Sequence, residues 1–107
     1  MKRRPPVPTR DQSAALQELS AALARLRTAG EVQAFLRDLC TPAELEAVAD
    51  RWQVVPHLLR GEPYREIHDA TAVSVTTIGR VARCLGERGS GYQLAARRLG
   101  LDGATGK

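Results

Sequence analysis

Residues 71–85 read TAVSVTTIGRVARCL, and this stretch decides the fold. Val73 followed by Ser74 has the form of an apolar plug and a helix N-cap, because a serine oxygen can accept amide hydrogens that the next turn leaves unpaired. A helix is therefore expected from Val75. Along it Ile78, Val81, Ala82 and Leu85 recur at helical spacing, while Thr76, Gly79, Arg80 and Arg83 fall on the opposite side. One face packs and the other is polar and cationic. Thr76 and Thr77, in the first turn, can offer methyl and hydroxyl groups to base edges, Gly79 lets the backbone approach closely, and Arg80 and Arg83 can reach guanines or phosphates. Upstream, Tyr64–Ala70 (YREIHDA) is a short amphipathic segment with Ile67 and Ala70 expected inward. A short helix, a tight turn and a second helix over about residues 64–85 have the layout of a helix-turn-helix, which makes double-stranded DNA the expected partner. The turn position that often holds glycine is Ala72. Alanine in a left-handed conformation costs on the order of 1 kcal/mol, so a somewhat different turn is expected.

Composition narrows the class. A chain of 107 residues is one domain by length and can bury a modest core, which oligomerisation would complete. The net charge of +4 suits a polyanionic partner, and its distribution is more telling: Lys2, Arg3, Arg4 and Arg10 open the chain, and between Arg80 and Arg98 five arginines face one acid, Glu87. Two cysteines and no signal-like apolar stretch point to a reducing cytoplasm and not to a disulfide framework. No apolar run approaches membrane-spanning length. Cys40, His57, His68 and Cys84 lack the close pairs of structural zinc sites, so no metal is expected; the cysteines read as small buried residues and the histidines as surface or interface groups. Without a phosphate-cradling glycine loop or an arrangement that would activate a nucleophile, an enzyme is not expected.

Read from the start, the chain is almost wholly helical. Residues 1–8 (MKRRPPVP) are expected to form a disordered basic arm, residues 9–99 the helical domain, and residues 100–107 a flexible tail. Thr9, Arg10, Asp11 and Gln12 can form a capping box, after which Leu16, Leu19, Leu23 and Leu26 make a narrow leucine seam that could pack within the monomer but also suits a partner chain, with Gly30 ending the helix. Val32, Phe35, Leu36 and Leu39 define a second helix. Thr41-Pro42-Ala43-Glu44 is a strong start for a third, with N-cap threonine, proline at the first position and glutamate at the third. Leu45, Val48, Ala49, Trp52, Val55 and Leu59 mark its apolar face, Gly61 and Pro63 its stop, and Pro56 predicts a kink near Val55. The run GERGSGY reads as a loop, and Tyr92, Leu94, Ala95 and Leu99 as a last short helix.

Several blocks in order then support a comparison: Leu39-Cys40-Thr41-Pro42, Asp50-Arg51-Trp52, Leu59-Arg60-Gly61, Tyr64-Arg65-Glu66-Ile67, Thr77-Ile78-Gly79-Arg80-Val81, Arg83-Cys84-Leu85 and Gly91-Tyr92. They resemble the YerC/YecD-like branch of the Trp repressor superfamily over about two-thirds of the chain. The resemblance implies an all-α, six-helix fold and an intertwined homodimer, in which Leu16, Leu19, Leu23 and Leu26 would meet the second copy. It also implies recognition helices entering successive major grooves about 34 Å apart. By the same resemblance Ser74, Thr76, Thr77, Gly79, Arg80 and Arg83 lie at DNA-facing positions, with Arg65 and His68 nearby on the preceding helix.

The resemblance further suggests a candidate effector site at Thr41, Arg51, Arg80, Val81 and Cys84. Thr41, Arg51 and Arg80 match the family's corepressor pocket. Val81, standing where the family has glycine, would fill the space of an indole, and Cys84 replaces a serine that would hold the ligand's ammonium. Tryptophan is therefore not the expected corepressor, and no cofactor is; a small anion or another metabolite fits an effector better. Two functional classes follow. One is a homodimeric DNA-binding transcriptional repressor, with Arg60, Arg65 and Arg83 on phosphates. The alternative is a protein-interaction or dimerisation module that keeps the helix-turn-helix shape without operator binding.

Overall fold

Six helices and no strand occupy residues 11–101, the part of the chain that the computed structural model describes. They are α1 (Gln12–Ala24), α2 (Ala29–Leu39), α3 (Pro42–Leu59), α4 (Tyr64–Thr71), α5 (Val75–Leu85) and α6 (Gly91–Arg98). This is the all-α, six-helix architecture that the sequence leads one to expect. The basic arm, Thr9 and residues 102–107 lie outside the described residues. The chain divides at Cys40 into two units.

In the first unit Asp11, not Thr9, caps α1: its carboxylate accepts from the Ser13 amide and from Ser13 Oγ, each at 3.1 Å. The sequence reading carries this helix to Gly30, yet it stops at Ala24 with Arg25 as C-cap. The reason lies in Thr28 and Glu31. Thr28 Oγ1 accepts from the Glu31 amide at 3.1 Å and Glu31 Oε1 accepts from the Arg27 amide at 2.8 Å, so α2 starts before Gly30 can end anything. Leu26 is consequently off α1, and the seam on that helix shortens to Leu16, Leu19 and Leu23. Neither α1 nor α2 buries a residue. Leu16 is 63% exposed; Leu19, Leu23 and Leu26 are half-buried.

The second unit opens with the expected capping box: the Glu44 amide donates to Thr41 Oγ1 at 3.1 Å and the Thr41 amide to Glu44 Oε1 at 2.8 Å, with Pro42 at the first helical position. The helix runs from Pro42 to Leu59 through Pro56. It ends in a Schellman cap, in which Glu62 N donates to His57 O, Gly61 N donates to Leu58 O, and Gly61 takes a φ of 76°. Here α3 packs on α4, α5 and α6. That wrapping buries Val54 as well as Val55, while Val48 and Ala49, assigned to the inner face by their spacing, are exposed. The core comprises Val54, Val55, Ile67, Val73, Ile78, Val81, Leu85 and Ala96, flanked by Trp52, whose ring lies 6.4 Å from that of Tyr92. Full burial of each such aliphatic side chain stabilises by roughly 1.5–3 kcal/mol.

A second Schellman cap closes α6: Leu101 N donates to Ala96 O at 2.8 Å and Gly100 N to Arg97 O at 3.0 Å, with Gly100 at a φ of 81°. Gly100 and Leu101, counted with the tail above, thus belong to the fold, and Leu101 packs against the core. Both cysteines are free, Cys40 half-buried and Cys84 exposed, so neither is the small core residue expected of it.

Candidate nucleic-acid interface

Local sequence fixes the α4–α5 geometry. Ile67 of α4 is fully buried against Ile78 and its neighbours, while Ala70, expected beside it, is exposed. One apolar residue suffices because α4 is only eight residues long. Ala72 then adopts φ 66° and ψ 6°, the left-handed turn that the sequence reading expects alanine to avoid. Its neighbours hold it there. The Ala72 amide donates to His68 O at 2.8 Å, Thr71 Oγ1 donates to Ile67 O at 2.7 Å, and the Val73 amide donates to Thr71 Oγ1 at 3.1 Å. Three such bonds, each contributing about 0.5–1.5 kcal/mol, offset the on-the-order-of-1 kcal/mol strain of a left-handed alanine.

His68 adds a fourth tie. Its Nδ1 lies 2.8 Å from the Val73 carbonyl, which can only accept, so Nδ1 carries the hydrogen and Nε2 is the ring's remaining polar atom. Val73 is the buried plug and Ser74 the N-cap of α5, as the sequence predicts: Ser74 Oγ accepts from the Thr77 amide at 3.1 Å. The same oxygen donates to Thr77 Oγ1 at 3.0 Å, which leaves the Thr77 hydroxyl hydrogen free to donate elsewhere.

From the inner face of α5, Ile78, Val81 and Leu85 enter the core. On the outer face Thr76, Gly79, Arg80 and Arg83 line one shallow concavity. Arg65 and His68 are exposed on α4. Thr77 and Ser74 sit on the flank and line a different concavity with Ala47, Asp50, Arg51, Ala72 and Val73. The DNA-facing set named above therefore divides into an outer group and a flank pair. Among the described residues neither Arg80 nor Arg83 enters an ion pair. Arg60, expected on phosphate, is engaged instead: its Nε donates to Glu62 Oε2 at 2.8 Å, and His57 Nδ1 donates to Glu62 Oε1 at 2.7 Å. These two hydrogen bonds, that from His57 foremost, hold the Glu62 carboxyl below its usual range.

Three of the five candidate effector residues line three separate concavities among the described residues. Arg51 lines the flank concavity, Arg80 the outer one, and Cys84 a third with Glu87, Arg88 and Tyr92. Val81 is 1% exposed, and Thr41 Oγ1 accepts from the Glu44 amide in the helix cap.

Two groups escape the sequence reading. The Thr71 relay needs the turn's three-dimensional path, although a threonine one residue before a turn is a weak signal for it. Tyr64 is the other. A Cβ placed on Gly79 would lie 3.7 Å from Tyr64 Cε2, so the ring stands beside the outer face of α5, fifteen positions from its neighbour in sequence. Its aromatic character at the exposed start of α4 is the only hint in the sequence.

Residues 14–99 match the family model described as Trp repressor protein. The uncharacterized protein YerC of Bacillus subtilis (strain 168) is 34% identical over 84 residues, which span 78% of this chain and 81% of YerC. No solved structure matches the chain.

Proposed function

The chain belongs to the Trp repressor family, in the branch that contains YerC, and on that premise we propose that it is a homodimeric, sequence-specific DNA-binding regulator that acts as a repressor. The observation that carries this reading is the α4–turn–α5 unit. A left-handed Ala72 and a Ser74-capped helix present Thr76, Gly79, Arg80 and Arg83 together on an outer face whose arginines have no acidic partner among the described residues. Arg80 is placed to read a guanine edge in the major groove, while Arg65 and Arg83 neutralise phosphates and fix the register. Thr77, on the flank, donates its free hydroxyl hydrogen to the backbone of the same groove. His68 braces the turn and offers Nε2 outward.

Dimerisation is the second part of the proposal. Among the described residues no side chain of α1 or α2 is fully buried, so a covering surface would stabilise these helices, and Leu16, Leu19 and Leu23 are the seam offered to a second copy.

Tryptophan does not fit as corepressor. Supporting this, the side chain of Val81 already occupies the core, and the two arginines that would flank an indole open to separate concavities. No cofactor enters the proposal; any effector would be a different, anionic metabolite.

The test is fluorescence anisotropy on a duplex enriched from a random pool, over a series of salt concentrations. Wild type is expected to prefer that duplex over scrambled DNA by roughly a thousandfold or more. Arg80→Ala should weaken it by about tenfold or more, and Arg83→Ala should reduce the salt slope by about one. Equal affinity for scrambled DNA would reject the proposal and favour a protein-interaction module.

A further inference from the structure

Glycine in a helix interior is about 1 kcal/mol less favourable than alanine, and α5 carries one at its centre. Crowding does not require it, since a Cβ there would meet Tyr64 Cε2 at an ordinary 3.7 Å. What the glycine leaves is bare backbone on the face shared by Thr76, Arg80 and Arg83, bordered by the Tyr64 ring. Cε2 is bonded to the carbon bearing the phenol oxygen, so the hydroxyl end of the ring is the part beside Gly79. Tyr64 is 41% exposed, and among the described residues its hydroxyl has no hydrogen-bond partner. Nor does it cap its own helix, because α4 has no side-chain cap. The core does not use this ring and the backbone does not use its hydroxyl.

We propose that Tyr64 is a DNA-reading residue that takes the place of the side chain absent at Gly79. The ring lies against a base edge opposite the middle of α5, where apolar carbon complements a thymine methyl, and the hydroxyl donates to a phosphate oxygen. This inference rests on the DNA-binding reading above and adds a specificity-determining residue to it. The supporting helix then contributes to readout as well as to position, through a residue that pattern matching along α5 alone would never reach.

Ring and hydroxyl separate by substitution. On the duplex selected by wild type, Tyr64→Phe is expected to lower affinity roughly three- to tenfold while keeping the base preference. Its salt slope should stay that of wild type, since a neutral donor releases no counterion. Tyr64→Ala should lower affinity further, and a repeated selection with that variant should lose preference at one base pair in each half-site. Should Tyr64→Ala fold poorly, Tyr64→Phe alone decides, because it retains the packing of the ring. Unchanged affinity of both variants overturns the role of Tyr64 and leaves the DNA-binding reading intact. A wild type that selects no duplex overturns both.

Discussion

Helices α1 and α2 carry a leucine seam and an apolar stripe yet bury no side chain, whereas α3 to α6 close over eight buried residues. Residues of the same kinds thus behave differently in the two halves. In the second half α3 touches three other helices, so eight apolar side chains are enclosed by their own chain, although Val48, Val75, Leu94 and Leu99 stay exposed. In the first half Leu16 remains 63% exposed. An amphipathic helix gains its stability chiefly from what covers its apolar face. The half that holds α3 to α6 is therefore self-sufficient in its core, and on the proposed reading the N-terminal half is completed by a second copy.

That contrast can be broken from either side. The largest effect is expected from Ile78→Ala, which leaves a cavity in the fully enclosed core; a loss of about 2–5 kcal/mol should appear in urea or thermal unfolding. Out of a total of about 5–15 kcal/mol this takes much of the fold with it. Leu19→Asp attacks the other half. It should separate the dimer in sedimentation and abolish operator binding in the same step while the core of α3–α6 persists; a wild type that sediments as a folded monomer contradicts this.

Two smaller changes sharpen the account of the turn and the recognition helix. Ala72→Gly relieves a left-handed alanine and should raise stability by up to about 1 kcal/mol with operator affinity unchanged. Gly79→Ala should raise stability by a similar roughly 0.8–1 kcal/mol, read as a higher Tm, but lower operator affinity by filling the bare strip of α5. A Gly79→Ala variant with undiminished affinity would remove close backbone approach from the mechanism.

The smallest effect concerns the α3–α4 junction. The Glu62 carboxyl is held below its ordinary 4.5 by His57 and Arg60, so its folded value lies under its unfolded one. The stabilisation is then present above about pH 4.5 and disappears as pH falls through the lowered value. Glu62→Gln should lower Tm slightly at neutral pH and flatten its decline in that acid window; identical profiles for both proteins would show the junction to be inert.

Much of this was legible in the sequence because it depends on neighbours close along the chain. The Thr41–Glu44 box, the Ser74 cap and the Gly61 stop all rest on residues within five positions of one another, and each appears where expected. Misreadings arose where local signals competed or where tertiary packing decided. Thr28 and Glu31 outcompeted Gly30, which moved Leu26 off the first helix. Ala70 and Val48 have inward spacing but no covering helix. On the candidate site, periodicity separated the outer face of α5 from its core face, but it could not show that Thr77 lies on the flank or that Arg60 is engaged by Glu62. Tyr64 meets Gly79 across two helices, a proximity that no spacing rule contains.

The central claim is that two copies of the α4–α5 unit read one duplex. Selection from a random duplex library at near-physiological salt, followed by sequencing, tests it most directly. The account predicts a two-fold symmetric site whose half-sites lie about one helical turn apart. No enriched sequence, or an enriched site without symmetry, would contradict it.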